Sequence, residues 1–170
     1  RCAKIQIVWL GYNNSLCLNN LDYLIADRNS IYPNEENDYK EKIIYLPRIW
    51  NALSVPDNLV PITDEKIYNN KFTYGSFNNF KKISNDTIEV WSTILRESNT
   101  RMILKNSFPD SEELKNNIYN KLIKQGVKEK QIIFLDREQN EEDHYRHYNK
   151  INLALDTFPW NGVTTSFESI

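Results

Sequence analysis

Apolar and polar positions follow two alternating patterns from residue 72 onward. Short apolar runs predict strands at residues 72–77, 101–105, 131–135 and 153–156. Apolar residues at helical spacing predict three helices between these strands. The first begins at Ser84, the second begins at Ser111, and the third spans residues 141–149. Ser84 suits an N-cap, and Gly126 suits the C-terminal cap of the second helix. Strands that alternate with helices are typical of an α/β fold with a parallel sheet and helices on both faces.

The first part of the chain shows shorter apolar patterns. A β-branched apolar run over residues 5–10, ended by Gly11, predicts a buried strand. Two further short apolar runs cover residues 21–27 and 42–46. From residue 50 to residue 70 the periodicity fades and two prolines interrupt it, which predicts an irregular connection or a domain linker.

In parallel sheets the ligand binds outside the carboxyl ends of the strands, so the loops after Phe77, Leu135 and Asp156 are the candidate binding loops. In the last of these loops Gly162 allows a tight turn, and a pair of threonines follows it. A nucleotide phosphate is therefore a reasonable ligand for this edge of the sheet.

Three kinds of side chain near these loops suit a nucleotide. Thr164 or Thr165 is placed to cap a helix whose N-terminal amides would bind phosphate, although such a pair is more often only a cap. Lys82 can reach a phosphate as a point charge, although a loop lysine is usually a solvated surface charge. His144 can stack on a base or form a hydrogen bond with it, and a plain surface histidine is an equal alternative.

Composition narrows the function classes. The chain has 170 residues, 40% apolar and 26% charged, with a net charge of −2, which fits a soluble globular core and not the basic face of a nucleic-acid binder. No apolar run approaches the roughly 20 residues of a membrane span, and no leader is visible, so the expected location is the cytoplasm. Cys2 and Cys17 form neither a metal-binding nor a redox motif. The start at Arg1, the single methionine at Met102, and the end at Ile170 where a helix begins predict a piece of a longer protein.

Several nucleotide-binding and hydrolase motifs are absent from the sequence. The chain contains no G-x-G-x-x-G, no G-x-x-x-x-G-K-[ST] and no G-x-S-x-G. This argues against a dehydrogenase, against a P-loop kinase or GTPase, and against a hydrolase with a nucleophile elbow. An Asp-x-Asp pair is also missing, so a metal-held diphosphate is not expected.

Four stretches of the sequence together resemble the O-linked N-acetylglucosamine transferases of the SPINDLY type, a family that includes bacterial relatives with tetratricopeptide repeats. They follow the family's order, at similar spacing, over nearly the whole chain. The stretches are Val8-Trp9-Leu10-Gly11-Tyr12, Leu21-Asp22-Tyr23-Leu24-Ile25-Ala26-Asp27, Gly75-Ser76-Phe77-Asn78-Asn79 with Lys82-Ile83, and His144 with Leu155-Asp156-Thr157-Phe158-Pro159, Asn161-Gly162 and Thr164-Thr165. No single stretch is specific, but the ordered set is.

The resemblance implies a GT-B fold, in which the donor binds between two Rossmann-like lobes with parallel sheets, here incomplete at both ends. Residues 1–66 would be the end of the first, acceptor-side lobe plus a linker, and residues 67–170 the first part of the nucleotide-sugar-binding lobe. The implied activity is metal-independent transfer of a sugar, expected to be N-acetylglucosamine from UDP-N-acetylglucosamine, to a Ser or Thr hydroxyl of a protein. No cofactor is implied. The implied partners are a nucleotide-sugar donor and a protein acceptor, with tetratricopeptide repeats in the full-length chain and with no nucleic acid or membrane.

The resemblance also implies roles for individual residues. Lys82 would be the catalytic residue, since it matches the lysine that contacts the donor diphosphate. The donor-binding residues would be Leu10 and Gly11 through backbone groups beside the sugar, Asn79 and Lys82 near the diphosphate, His144 beside the uracil or ribose, Thr164 and Thr165 on the diphosphate, and Glu168 on the ribose. The acceptor-side histidines of the family would lie upstream of Arg1, so no catalytic base is assigned.

Departures from the family pattern leave alternatives open. Asn13-Asn14-Ser15 stands where the family usually has Pro-Gly and a threonine, and Val163 stands where histidine or threonine is common. Gln139 and Glu141, near the position implied for the nucleobase, differ from the residues that the animal enzymes have there. The alternatives are a fucosyl or hexosyl transferase with another nucleotide-sugar, a non-catalytic binding or scaffold segment, and an unrelated nucleotide-binding α/β domain. The isolated piece is expected to be inactive.

Overall fold

The computed structural model describes residues 2–11, 13–54, 60–62, 71–97, 99–106 and 112–170. The chain divides into two compact units, residues 1–54 and residues 55–170. Each unit contains a sheet of parallel strands, so the predicted α/β class with parallel sheets is confirmed. The lobe boundary predicted at residue 66 falls outside the described residues, as do Tyr12 and the helix start predicted at Ser111.

The first unit is built on a three-stranded sheet in the order β1-β2-β3. Its strands are β1 (Ile7–Val8), β2 (Tyr23–Ala26) and β3 (Lys42–Tyr45), and a 3-10 helix covers Pro33–Asp38. Leu24 and Ala26 of the central strand are buried together with Ile31. The buried strand predicted over residues 5–10 is wrong in length and in burial. Within the described part of the chain, β1 is an edge strand of two residues that pairs with β2, and Ile7 is 48% exposed.

The second unit contains a four-stranded sheet in the order β6-β5-β4-β7. Its elements are β4 (Thr73–Ser76), α1 (Asn85–Glu97), β5 (Arg101–Lys105), α2 (Glu112–Lys124), β6 (Ile132–Leu135), α3 (Glu141–Arg146), β7 (Leu153–Ala154) and α4 (Thr164–Glu168). Single-turn 3-10 helices cover Phe80–Lys82, Glu129–Gln131 and Tyr148–Lys150. The strand predicted at residues 101–105 is confirmed residue for residue.

The main core of the second unit joins β5 to α1 and α2. Met102 and Leu104 are fully buried in one cluster with Trp91 of α1 and Leu122 of α2. Burying each such side chain stabilises the fold by about 1.5–3 kcal/mol. Successive residues of a strand point to opposite faces of the sheet, so Lys105 lies on the face away from this core.

The helix caps predicted at Ser84 and Gly126 are confirmed. The Ser84 hydroxyl accepts a hydrogen bond from the Thr87 backbone amide at 3.0 Å, as an N-cap does. At the end of α2, Gly126 has a φ of +86°, and the amides of Gly126 and Val127 donate to the carbonyls of Ile123 and Leu122. This pair of bonds is the Schellman motif, which requires a residue that tolerates the left-handed conformation.

Two other predicted boundaries are wrong. α3 ends at Arg146 rather than at residue 149, and the chain continues as the 3-10 helix Tyr148–Lys150, a common way for a helix to end. β7 ends at Ala154 rather than at residue 156. Asp156 is not a strand residue because its carboxylate accepts hydrogen bonds from the loop that follows it.

Candidate functional site

The winding of the second sheet reverses at β4. From β4 the chain builds β5 and β6 on one side and then returns as β7 on the other. Ligands of open parallel sheets bind at such a reversal, outside the carboxyl ends of the strands. A cavity of about 140 Å³ lies here, and its lining includes Gly75, Asn78, Asp156, Thr165 and Ser166. Of the candidate loops, those after β4 and β7 therefore meet at one place.

Asp156 organises the segment that follows β7, residues 157–163, which we call the Asp156 loop. Its Oδ1 accepts hydrogen bonds from the backbone amides of Thr157 and Gly162, both at 2.7 Å. The same oxygen accepts from Asn78 Nδ2 at 3.2 Å, and Oδ2 accepts from the Ser166 hydroxyl at 3.2 Å. One carboxylate thus ties together the loops after β4 and β7 and the helix α4.

Gly162 is required in this loop because there is no room for a side chain. A Cβ placed on it would lie 2.5 Å from Ser166 Oγ, 2.7 Å from Asn78 Oδ1 and 3.1 Å from Asp156 Oδ1. The sequence predicted a glycine that allows a tight turn, whereas the structure gives it the role of close approach between three polar side chains.

Lys82 and Asn79 lie in the loop after β4. Asn79 is the N-cap of the 3-10 helix Phe80–Lys82, and its Oδ1 accepts from the Lys81 amide at 3.0 Å. Lys82 Nζ donates to the Asn161 carbonyl at 2.9 Å. The structure therefore brings Lys82 against the Asp156 loop, and Asn79 holds the turn that carries it.

The predicted capping role of Thr164 and Thr165 is wrong. α4 begins at Thr164, so both threonines lie in its first turn, while Val163 occupies the N-cap position and makes no side-chain cap. The helix begins one residue earlier than a threonine cap would require. Thr164 is exposed, and Thr165 lines the cavity, with its carbonyl accepting from the Tyr148 hydroxyl at 3.4 Å.

A cluster of ionisable side chains adjoins the cavity, and we call it the His144 cluster: Lys105, His144, Tyr148 and Glu168. Lys105 Nζ lies 2.8 Å from His144 Nδ1, and His144 Nε2 lies 3.1 Å from Glu168 Oε2. The Tyr148 hydroxyl donates to the same carboxylate oxygen at 3.0 Å. Phe77, at the end of β4, packs against the rings of Tyr148 and His144. His144 and Glu168, which the resemblance places at the nucleoside, are thus in direct contact.

Burial and hydrogen bonding shift the pKa values of this cluster in defined directions. Burial alone would raise the pKa of Glu168, but hydrogen bonds from His144 and Tyr148 outweigh it and hold that pKa below its usual value. Burial lowers the pKa of Lys105, against the attraction of Glu138 and Glu168. Burial, together with the Glu168 charge, raises the pKa of Tyr148. Glu168 is therefore an anion that already has donors around it.

Sequence reasoning missed four residues of this site, Asn78, Lys105, Tyr148 and Asp156. Asn78 and Asp156 were noticed only as parts of a family stretch, although an Asp before a turn commonly accepts from nearby amides. Lys105 ends an apolar strand, and its alternation places it opposite Leu104 on the second face of the sheet. A charged side chain at the carboxyl end of a buried strand is the signal that could have found it.

The predicted donor-site residues Leu10 and Gly11 lie in the first unit, directly after β1. Leu10 has a φ of +67°, a strained conformation for a leucine that persists where the surroundings fix it, often at functional sites. The changed loop beyond them is held in place by Glu41, whose carboxylate accepts from the Ser15 hydroxyl at 2.6 Å and from the Leu16 amide at 3.0 Å.

A parallel sheet with polar loops meeting at its point of reversal defines the second unit as a Rossmann-like ligand-binding domain. The model of glycosyl transferase family 41 matches residues 52–170. The chain therefore belongs to glycosyl transferase family 41.

Individual relatives agree with this assignment. Proteins named probable UDP-N-acetylglucosamine–peptide N-acetylglucosaminyltransferase SPINDLY are 30% identical in Hordeum vulgare and 31% identical in Eustoma exaltatum subsp. russellianum, over 100% of this chain. The chain spans 18% and 19% of the length of those relatives. A solved structure of a Thermobaculum terrenum O-GlcNAc transferase mutant is 26% identical, with a TM-score of 0.85 over 98% of this chain and 32% of that one. The SPINDLY-type resemblance and the GT-B fold type are confirmed.

The described residues give two further observations. None of their helices combines the length and the apolar character that crossing a lipid bilayer would require. They also contain no group of three or more His, Cys, Asp or Glu side chains arranged to hold a metal ion. Metal independence stays a prediction.

Proposed function

We propose that the protein containing this chain transfers N-acetylglucosamine from UDP-N-acetylglucosamine to a Ser or Thr hydroxyl of a protein, without a metal ion. Such a transfer builds negative charge on the leaving diphosphate, and preorganised donors must stabilise that charge. Lys82 supplies the positive charge, and the hydroxyls of Thr164 and Thr165 supply further donors. His144 and Glu168 hold the nucleoside. Tetratricopeptide repeats elsewhere in the protein, a cytoplasmic location, and the absence of nucleic-acid and membrane partners remain predictions.

One observation carries this proposal. The 2.9 Å bond from Lys82 Nζ to the Asn161 carbonyl lays a lysine of the β4 loop against the loop that leads into Thr164. This contact supports a positive charge beside the loop that leads into the two hydroxyls, near the reversal point of the sheet, where we expect a diphosphate to bind. The names of the plant relatives, which specify UDP-N-acetylglucosamine and a peptide, support the choice of donor and acceptor.

The test is the variant Lys82→Ala in the full-length protein. Loss of a well-placed donor to a developing charge costs on the order of 100-fold in rate, so transfer should nearly cease. Stability should change little because the Lys82 side chain is partly exposed and, among the described residues, its ammonium donates to a loop carbonyl. Transfer is measured as radiolabelled sugar incorporated into protein, and unfolding is followed by circular dichroism. Near-normal turnover in Lys82→Ala would contradict the assignment.

Lys81→Ala is the matched control. Lys81 is the neighbouring lysine of the same 3-10 helix and is exposed, and it bonds to Asn79 through its backbone amide, which alanine retains. It should keep full activity. Equal losses in both variants would indicate a general effect of charge and not a specific contact.

A second candidate, a non-catalytic nucleotide-sugar-binding or scaffold segment, is favoured by the changed loop at Asn13-Asn14-Ser15. Calorimetric titration of the intact protein with UDP, UDP-sugars and GDP-sugars separates the candidates. Binding of UDP-N-acetylglucosamine with turnover supports the transferase. Binding of a GDP-sugar instead indicates a fucosyl or hexosyl transferase. Binding without turnover supports the non-catalytic segment, and no binding at all supports a scaffold.

A further inference from the structure

Lys105 is a buried cation that the proposed reaction does not use. It is the last residue of β5 and is 1% exposed. Lysines are almost never fully buried unless they are paired, because removing the ammonium from water is costly. Its pKa is lowered by burial, while Glu138, Glu168 and Asp143 act in the other direction. Because burying the Lys105 ammonium is energetically unfavourable, we expect this side chain to have a function through its contacts.

The partner of Lys105 is the imidazole of His144. An ammonium group has three donors and no acceptor, so at 2.8 Å the Nδ1 atom of His144 must accept from Lys105. The ring proton then lies on Nε2, which at 3.1 Å donates to Glu168 Oε2. The opposite tautomer would turn a bare Nε2 toward a carboxylate. Lys105 therefore donates to His144, and His144 in turn donates to Glu168.

We propose that Lys105 is a positioning residue that fixes the ring proton of His144 on Nε2, and so orients His144 and Glu168 for the nucleoside of the donor. The second part rests on the proposed function. Because Nδ1 accepts from the Lys105 ammonium, the imidazole is held in the orientation that turns its Nε2–H toward Glu168. The other groups around the ring are Glu168 from α4 and the phenols of Tyr145 and Tyr148, with Glu138, Asp143 and Lys150 farther out near Lys105.

Lys105→Met removes the ammonium and nearly keeps the volume. His144 Nδ1 then has no donor from Lys105, so the ring proton is no longer confined to Nε2. Donor affinity should fall on the order of tenfold, because a hydrogen bond to a charged group is lost.

The first measurement does not depend on any nucleotide. Histidine ¹⁵N shifts of the intact protein, assigned with His144→Gln, report the tautomer of His144. The wild type should show the form protonated on Nε2, and Lys105→Met should show an added form protonated on Nδ1. Lys150→Met, which removes a nearby lysine, should match the wild type. A wild-type His144 protonated on Nδ1 would overturn the proposal even if Lys105→Met failed to fold.

The second measurement is calorimetric titration with UDP-N-acetylglucosamine. A weaker affinity in Lys105→Met than in the wild type, together with the change of tautomer, supports the positioning role. The same affinity in both proteins would refute it. If the wild type binds no nucleotide-sugar, the proposed function fails, and the tautomer measurement still decides whether Lys105 sets the state of His144.

Discussion

The Asp156 loop and the His144 cluster adjoin the same cavity but are built in opposite ways. In the Asp156 loop a carboxylate binds backbone amides, those of Thr157 and Gly162. In the His144 cluster side chains bind other side chains, in a line from Lys105 to Glu168. The first arrangement fixes the course of the main chain. The second pairs each side-chain donor with an acceptor on another side chain.

The Asp156 loop therefore sets the shape of the candidate site, and the His144 cluster sets its charge. Because the Asp156 loop is held through its backbone, the side chains beside it at Lys82 and Thr164 remain available to a ligand. In the His144 cluster the donors and acceptors are already paired, so a bound nucleoside must share or exchange those bonds. We therefore expect the loop to respond to changes of volume and the cluster to respond to changes of pH.

The largest effect should come from filling the space at Gly162. In Gly162→Ala the new methyl would lie 2.7 Å from Asn78 Oδ1, a buried atom that cannot move freely. Overpacking of this kind destabilises by about 1–3 kcal/mol. UDP-N-acetylglucosamine affinity should fall on the order of 100-fold, since displacing the loop by about 1 Å misplaces the diphosphate contacts. Urea unfolding and calorimetric titration measure the two effects.

Gly11→Ala is the control for stability. An added Cβ at Gly11 meets no described atom within 4 Å, so no overpacking is expected, and the free energy of unfolding should change by no more than about 1 kcal/mol. Wild-type stability in Gly162→Ala would show that the Asp156 loop can move to accommodate a methyl group. The expected contrast, in which the loop responds to volume and the His144 cluster to pH, would then be contradicted.

The second effect concerns acid stability and belongs to the His144 cluster. The pKa of Glu168 is lowered in the folded state, so its contribution is fully present above the usual value of 4.5 and is lost as the pH falls through the lower folded value. Glu168→Gln keeps an acceptor for His144 but cannot titrate. The wild type should therefore lose its stability advantage over Glu168→Gln below about pH 4.5.

Thermal unfolding of both proteins from pH 7 to pH 3 measures this advantage. Glu112→Gln, at an exposed glutamate of α2, should follow the wild-type pH profile. Parallel profiles of wild type and Glu168→Gln would mean that the hydrogen bonds to Glu168 do not favour its ionised form.

Local chemistry made some elements predictable from sequence. Ser84 and Gly126 act through hydrogen bonds to residues within five positions, so their roles as helix caps could be recognised without the fold. β5 was predicted at its observed length because an apolar run bounded by polar residues is a strong signal in a central strand. The rule that ligands bind outside the carboxyl ends of parallel strands selected the loops after Phe77 and Asp156, and residues of both line one cavity.

The remaining features depend on tertiary contacts. The apolar run over residues 5–10 cannot reveal that β1 is an edge strand with one partner. The burial of Lys105 follows from α3 placing His144 over it, 39 positions away in sequence. Asp156 looked like the end of a strand, since nothing local shows that its oxygens bind the amide of Gly162. The predicted roles of Leu10 and Gly11 stay predictions.

The smallest effect should follow from Ser84→Ala, which tests how far the Asp156 loop depends on α1. The Ser84 hydroxyl caps α1 and donates to the Phe158 carbonyl in the loop at 2.8 Å. Losing an N-cap costs about 1 kcal/mol, while the Thr87 hydroxyl still donates to the same carbonyl at 2.9 Å. Stability should therefore fall by about that amount in urea unfolding with donor affinity nearly unchanged, and Ser84→Thr should restore the cap. An affinity loss as large as that of Gly162→Ala would mean that α1, and not Asp156, fixes the loop.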